Sequence, residues 1–287
     1  MIRDPKILLL GCGYTLRRVA KKLSPKSTVC VVSNQSSADS LRKLGFSNVY
    51  VIDLRSEQAQ SLLSELPKCD ILVDSIPPIK GGSLEASSVG IEKVLRSEIL
   101  SGLKQIVYLS TTGVFGGKGG EWVDEGTVAS PVNDRAQARL WCENKYRDSG
   151  VPTTALRIAG IYGPGRGIGT SIKNGRYSFS GHQERWTNRI QVEDLSSIIL
   201  ELIRASVDRA LPDVLCACDD RPVMIGELVS FYMEKFSLPR PLVSDTAGDR
   251  EDLNQRVSNQ GLKKFMDITF RYPTFVQGTG TEFLSDE

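Results

Sequence analysis

The sequence predicts an α/β protein, a doubly wound parallel sheet followed by a small C-terminal lobe. Three observations predict it. Short β-branched runs alternate with amphipathic stretches through the first half, the pattern of βαβ units. A glycine pair, Gly11 and Gly13, directly follows the first of those runs. Beyond residue 113 glycines, prolines and basic residues break the rhythm, as expected of a loop-rich lobe.

Taken in order, Lys6–Leu10 reads as the first strand, followed by a helix through Leu23. Thr28–Val32 is the second strand, with a short helix over Ala38–Leu44. Asn48–Ile52 and the helix Glu57–Leu66 come next, then the strand Asp70–Asp74 and a helix within Leu84–Ser101. Gln105–Leu109 is the fifth strand. Gly113–Gly120 is a loop by its glycines, Asn133–Asp148 is an amphipathic helix, and Pro152–Arg157 is a sixth strand. Gly160–Gly181 is rich in glycine and basic residues, a stretch suited to shaping a pocket. Val192–Ala205, Met224–Phe236 and Ser258–Phe265 are helical by periodicity. The expected organisation is a nucleotide-binding part over 1–160 and a mixed part over 161–287, the substrate-binding lobe with helices returning to the core.

Composition narrows the function. Hydrophobic residues are 40% and charged residues 24% of 287, ordinary for a globular protein. A net charge of +2 gives no field for nucleic acid or an anionic membrane, and no run approaches the roughly 18 apolar residues of a membrane span. The four-residue apolar run after Pro5 and Lys6 is too short for a secretory signal, so a cytoplasmic location is expected. Cys12, Cys30, Cys69, Cys142, Cys216 and Cys218 form no CxxC pair, and His182 is the one histidine. No metal site is expected; the cysteines read as buried free thiols.

Lys6-Ile-Leu-Leu-Leu-Gly11-Cys-Gly13-Tyr14-Thr15-Leu16 is a strand, a glycine turn and the start of a helix. In a dinucleotide site the first glycine makes the tight turn and the second lets backbone N–H groups approach a pyrophosphate. Leu16 replaces the third glycine, which normally allows close packing of helix on strand. Ser33 and Asn34 end the second strand where an NAD-selective site places a carboxylate, so NADP is preferred over NAD, with Arg42 or Lys43 as a source of charge. Read blandly, Ser33 and Asn34 are ordinary loop residues. Asp53 and Leu54 can meet the adenine, and Ile76 and Pro77 can wall the cofactor's other side; a helix cap and a strand stop are the alternatives.

GCG, VIDL, IVYLSTTGVFG, LRIAGIYGPG and NRIQVEDL, in this order, resemble the extended and atypical short-chain dehydrogenase/reductases, in particular the NAD(P)-dependent epimerase/dehydratase branch. The resemblance runs from Lys6 to about Phe275. It implies a Rossmann-type domain, and Gly160 and Ile161 beside the cofactor. It also implies a catalytic Ser/Thr, matched by Thr111, and a Tyr and Lys spaced YxxxK on the next helix. At those last two positions stand Arg135 and Arg139, framed by Pro131 and Glu143.

That departure matters chemically. Arginine stays protonated at neutral pH and cannot shuttle a proton as tyrosinate does. Two guanidinium groups at i and i+4 can share a helix face and hold a phosphate or carboxylate; a solvated basic face is the alternative. Tyr162 is the leading substitute acid, with Tyr108, Cys142, His182, Glu121, Asp124 and Glu125 behind it. Lys173, Arg176, Arg185 and Arg189 add positive charge, and Asp194 reads as a helix cap. Two functions follow. One is an NAD(P)-dependent oxidoreductase or epimerase with a degenerate site, acting on a small anionic, carbonyl or sugar-like molecule. The other is a non-catalytic NAD(P)-binding sensor or assembly factor. Neither needs nucleic acid or membrane, and monomer and homodimer both stay open.

Overall fold

A computed structural model describes residues 4–78, 84–180, 184–244 and 253–285. His182 lies outside them. The sheet is α/β as expected: β1 (Ile7–Leu10), α1 (Tyr14–Ala20), β2 (Thr28–Val32), α2 (Gln35–Lys43), β3 (Val49–Val51), α3 (Ala59–Ser64), β4 (Ile71–Asp74), α4 (Leu84–Leu95) and β5 (Gln105–Thr111) follow in sequence. Seven strands form one parallel sheet in the order Val214–Ala217, Thr153–Ile158, β5, β4, β1, β2, β3. β1 sits between β2 and β4, with Leu9 opposite Cys30 on one side and Val73 on the other. Flanked on both sides, it is apolar throughout, as strands covered on both faces must be.

The short strands beyond Ile158 escaped the sequence reading, two of them instructive. Val214–Ala217 completes the sheet, although four residues after a proline carry too little periodicity to register. Gly160–Tyr162, in the stretch expected to be loop, pairs parallel with Arg189–Gln191.

By internal packing the chain divides into two compact units. Unit 1 comprises Met1–Ser110, Gln137–Leu156 and Ser196–Val214; unit 2 comprises Thr111–Ala136, Arg157–Leu195 and Leu215–Glu287. The core of unit 1 joins Leu8, Leu10, Val31, Leu63, Leu72, Val94, Ile106 and Tyr146 among others. The core of unit 2 centres on α8 (Ile225–Phe236), whose Leu228, Val229 and Tyr232 pack with Ile172 and Phe275. All six cysteines are buried and free. No helix among the described residues is long and apolar enough to cross a membrane, and no cluster of His, Cys, Asp or Glu there could hold a metal.

Candidate functional site

In unit 1 the chain leaves β1 through a turn that only glycine fits. Gly11 has φ +80°, and a Cβ on it would stand 2.7 Å from Ile76 Cγ1 and 3.1 Å from Ser75 Oγ. The N–H groups of Gly11 and Cys12 both donate to Val31 O, at 3.0 and 2.9 Å, and Gly13 N–H donates to Gly11 O at 2.7 Å. Ser75 Oγ donates to Gly11 O at 2.6 Å, fastening the turn to the end of β4. Leu16 does not obstruct this turn: it is fully buried on the core face of α1, as are Val19 and Ala20. Thr15 is buried, and Tyr14 is half-buried with Arg18 stacked on its ring at 4.2 Å.

The second strand ends in exposed Ser33 and Asn34. Asn34 Oδ1 accepts from Ser37 N at 2.9 Å and caps α2, which therefore begins at Gln35, three residues before the expected Ala38. Arg42, offered as a source of charge for a phosphate, is held elsewhere, donating to Asp39 Oδ1 at 3.1 Å and Val49 O at 3.2 Å. Asp53 forms a bidentate pair with Arg55, Nη2 to Oδ2 at 2.7 Å, which holds its carboxyl down at about 2. Leu54 is buried against α4, and Lys93 Nζ donates to its carbonyl at 3.0 Å and to Ser56 O at 2.6 Å. Lys93 and Ser75 went unmarked in the sequence, since a lysine on a helix and a serine after a strand carry no pattern. Pro77 is exposed and Ile76 half-buried.

Arg139 reaches this same corner. It lies on α5 (Asp134–Arg147), is 8% exposed, and its Nη1 donates to Leu109 O at 2.9 Å and Tyr108 Oη at 3.1 Å. A longer bond of 3.4 Å reaches Ile76 O. Gly11, Ile76 and Arg139 are thus contiguous. Behind Arg139 a buried polar cluster supports β4 and β5: Tyr146 Oη donates to Asp74 Oδ2 at 2.6 Å, Ile76 N to Asp74 Oδ1 at 2.7 Å, and Ser110 Oγ to Glu143 Oε1 at 2.5 Å. Burial pushes the Asp74 carboxyl up to about 6 and the Cys142 thiol up to about 11. Tyr108 and Cys142 are both buried, so neither presents an acid to a substrate.

Unit 2 holds the remaining candidates. Thr111 ends β5, half-buried, and its Oγ1 accepts from Gly113 N at 3.2 Å. The glycine-rich segment after it begins not as open loop but as a 3-10 turn over Thr112–Phe115. Arg135, one turn before Arg139 on α5, is exposed. Gly160 and Ile161 are half-buried on their short strand. Tyr162 is 1% exposed, and its hydroxyl has no hydrogen-bond partner among the described residues. Burial, with Asp219 and Glu282 near it, drives its pKa upward, so it stays a phenol. Asp124 and Glu125 build local structure, Asp124 accepting from Gly126 N at 3.0 Å and Glu125 from Cys216 N at 2.9 Å.

Asp194 departs from its expected role. It does not cap α7 (Val192–Asp208) but accepts from the N–H groups of Arg271 and Tyr272, at 2.8 and 2.9 Å. The cap is Gln191, whose Oε1 accepts from Glu193 N. Gln191 stands just outside the helix, where a side-chain carbonyl can reach an unpaired N–H; Asp194 is already inside the first turn.

No family model matches the sequence, and no curated protein matches it. Solved structures do. A conserved protein of unknown function from Silicibacter pomeroyi shares 27% identity over 96% of each chain, with a TM-score of 0.74. MoeE5, solved with UDP-glucose and NAD, shares 18% over 96% of this chain and 97% of its own, with a TM-score of 0.76. UDP-glucuronic acid 4-epimerase from Bacillus cereus, solved with NAD, shares 13% over 96% of each chain, with a TM-score of 0.75. At these identities the likeness is one of fold: the chain has the architecture of the NAD-dependent epimerase-type proteins that its motifs resemble.

Proposed function

From this fold and the glycine turn at its first strand, we propose that the chain is an NAD(P)-dependent oxidoreductase or epimerase of the short-chain dehydrogenase/reductase type. The observation that carries the reading is the Gly11–Gly13 turn. It exposes backbone at a point where a Cβ would collide with Ile76, in a fold whose relatives were solved with NAD. Such a cradle fits a pyrophosphate. When bound, the nicotinamide would supply hydride chemistry. The chain's own residues bind and orient: Gly11, Gly13, Tyr14, Thr15 and Leu16 form the turn and helix start, Asp53 and Leu54 serve the adenine side, and Ile76, Pro77, Gly160 and Ile161 serve the nicotinamide side. Ser33 and Asn34, with no carboxylate beside them, favour NADP over NAD. Residues 1–160 would supply most of the cofactor part and 161–287 the substrate lobe, in a cytoplasmic protein acting alone or as a homodimer.

Thr111 is the proposed hydroxyl partner of a small carbonyl, anionic or sugar-like substrate. Arg139, pinned by Leu109 O, would hold a ribose hydroxyl or substrate oxygen. Arg135, exposed on the same helix, would act as an electrostatic contact rather than a proton carrier. The test is fluorescence titration with NADPH and NADH, then turnover on a carbonyl, lactone and sugar-nucleotide panel. We expect NADPH to bind the tighter; binding of neither cofactor sinks the reading.

The second reading, a non-catalytic NAD(P)-binding sensor or assembly factor, is favoured by one observation. Tyr108, Tyr146 and Tyr162 are all buried, which leaves none of these three at the surface to stand in for the missing acid. NADPH binding without turnover on the whole panel, together with a partner set that changes with NADPH, would favour it.

A further inference from the structure

The residues at the end of β4 support the Gly11 turn, and side chains brought by α5 hold them in place. Ser75 N–H still donates to Leu10 O of β1, at 2.9 Å. The next N–H, that of Ile76, leaves the sheet and donates to Asp74 Oδ1 at 2.7 Å. Pro77 and Pro78 have no N–H to give. The Asp74 carboxylate therefore sets the direction in which the chain leaves β4. Asp74 is itself 2% exposed, and its second oxygen accepts from the Tyr146 hydroxyl at 2.6 Å. The carbonyl of Ile76 is met by Arg139 Nη1 at 3.4 Å. Arg139 and Tyr146 stand seven residues apart on α5, two turns along one face. Both backbone polar groups of Ile76 are thus fixed from that helix, the carbonyl directly and the N–H through Asp74.

Ile76 is the residue that meets the turn. Its Cγ1 lies 2.7 Å and its N 3.3 Å from the place of a Cβ on Gly11, and the neighbouring Ser75 hydroxyl bonds Gly11 O. Packing this close transmits any displacement of Ile76 to the turn. A buried carboxylate is a costly way to hold one N–H, since its charge must leave water. Two donors at 2.6 and 2.7 Å, with the Arg139 charge nearby, offset that cost. They also make the anchor stiff, because hydrogen bonds to an ionised acceptor are about twice as strong as neutral ones.

We propose that Asp74 and Tyr146 are positioning residues of the cofactor site: acting through Ile76, they fix the wall on which the Gly11 turn is built, and NADPH affinity depends on that bond. The proposal rests on the cofactor reading above, and its residues all lie in unit 1.

The test compares Asp74→Ala with Asp74→Asn by NADPH titration of the intact protein at about pH 8, where the wild-type carboxyl is ionised. Both variants lack the charge, so any change in repulsion of a phosphate cancels between them. Only asparagine keeps an acceptor for Ile76 N–H. We expect the NADPH Kd of Asp74→Ala to be about tenfold above that of Asp74→Asn. Hydrogen exchange at the Ile76 amide, read without cofactor, should be about tenfold faster in the alanine variant. A role confined to stability would lower the unfolding midpoint of Asp74→Ala and leave the two Kd values equal. Tyr146→Phe removes one donor to the carboxylate and should raise Kd about threefold over wild type. It decides the matter if Asp74→Ala does not fold. Equal Kd values or equal exchange rates for the two Asp74 variants overturn this proposal alone, as does an unchanged Kd in Tyr146→Phe where only that variant folds. A wild type that binds no NADPH overturns the cofactor reading and this proposal with it.

Discussion

Position 11 admits glycine for two reasons that act together: a positive φ of +80° and the 2.7 Å approach of Ile76 to the place of a Cβ. Gly11→Ala should therefore cost about 1–3 kcal/mol of stability and lower NADPH affinity more than Gly13→Ala, whose Cβ would meet nothing nearer than 3.9 Å. Denaturant unfolding and cofactor titration of the two variants check this; equal effects would refute it. Asp74 gives a second prediction. Burial raises its pKa from 3.8 to about 6. The folded state therefore binds the proton more tightly than the unfolded one. Its contribution is fully present below pH 3.8 and is lost as pH rises through about 6. The loss should be on the order of 2–3 kcal/mol. Asp74→Asn cannot ionise, so the difference in stability between wild type and variant should shift by that amount between pH 4 and 7. Unfolding midpoints across this range decide it; a constant difference removes Asp74 from the pH response.

At the scale of elements, the first five strands were legible because each is a run of Val, Ile or Leu long enough to show, and turns separate them. α2 was read short because its first turn, Gln35-Ser36-Ser37, is polar, and the cap by Asn34 that makes it helical shows only as a contact. The missed strands are two to four residues long and owe their form to partners distant in sequence, as Gly160–Tyr162 does to Arg189–Gln191. The candidate site divides the same way. Gly11 and Gly13 announce themselves by spacing, whereas the burial of Tyr162 depends on residues 278–282, and the acceptors of Arg139 stand at 76, 108 and 109. Asp194 makes the same point with a consequence for stability. Its two bonds to 271–272 tie the first turn of α7 to a segment late in the chain, and Asp194→Ala would leave two half-buried N–H groups unpaired. We expect a loss of about 2–3 kcal/mol and faster proteolysis near residues 267–274, with Asp194→Asn intermediate. An alanine variant as stable as the wild type would show that water satisfies those groups equally well.

For the whole molecule, the two functional readings make opposite demands on the same protein. Both require NADPH to bind the folded state, so both predict stabilisation: about 2.7 kcal/mol at a cofactor concentration 100 times Kd, with NADH giving less at equal concentration. They part over Thr111. It is half-buried at the end of β5, and its hydroxyl oxygen does no more locally than accept from Gly113 N. Removing it should leave the fold and the NADPH shift nearly unchanged, since a single hydroxyl acceptor contributes about 0.5–1.5 kcal/mol. In an enzyme that uses this hydroxyl on its substrate, Thr111→Ala should lower kcat/KM by about tenfold to a thousandfold, while Thr111→Ser restores most of it. In a sensor the same substitution changes nothing that NADPH controls. An unchanged thermal shift with lost turnover therefore supports catalysis. If turnover of the best panel substrate is instead insensitive to Thr111→Ala, that turnover does not come from this site, and the binding reading is the one that survives.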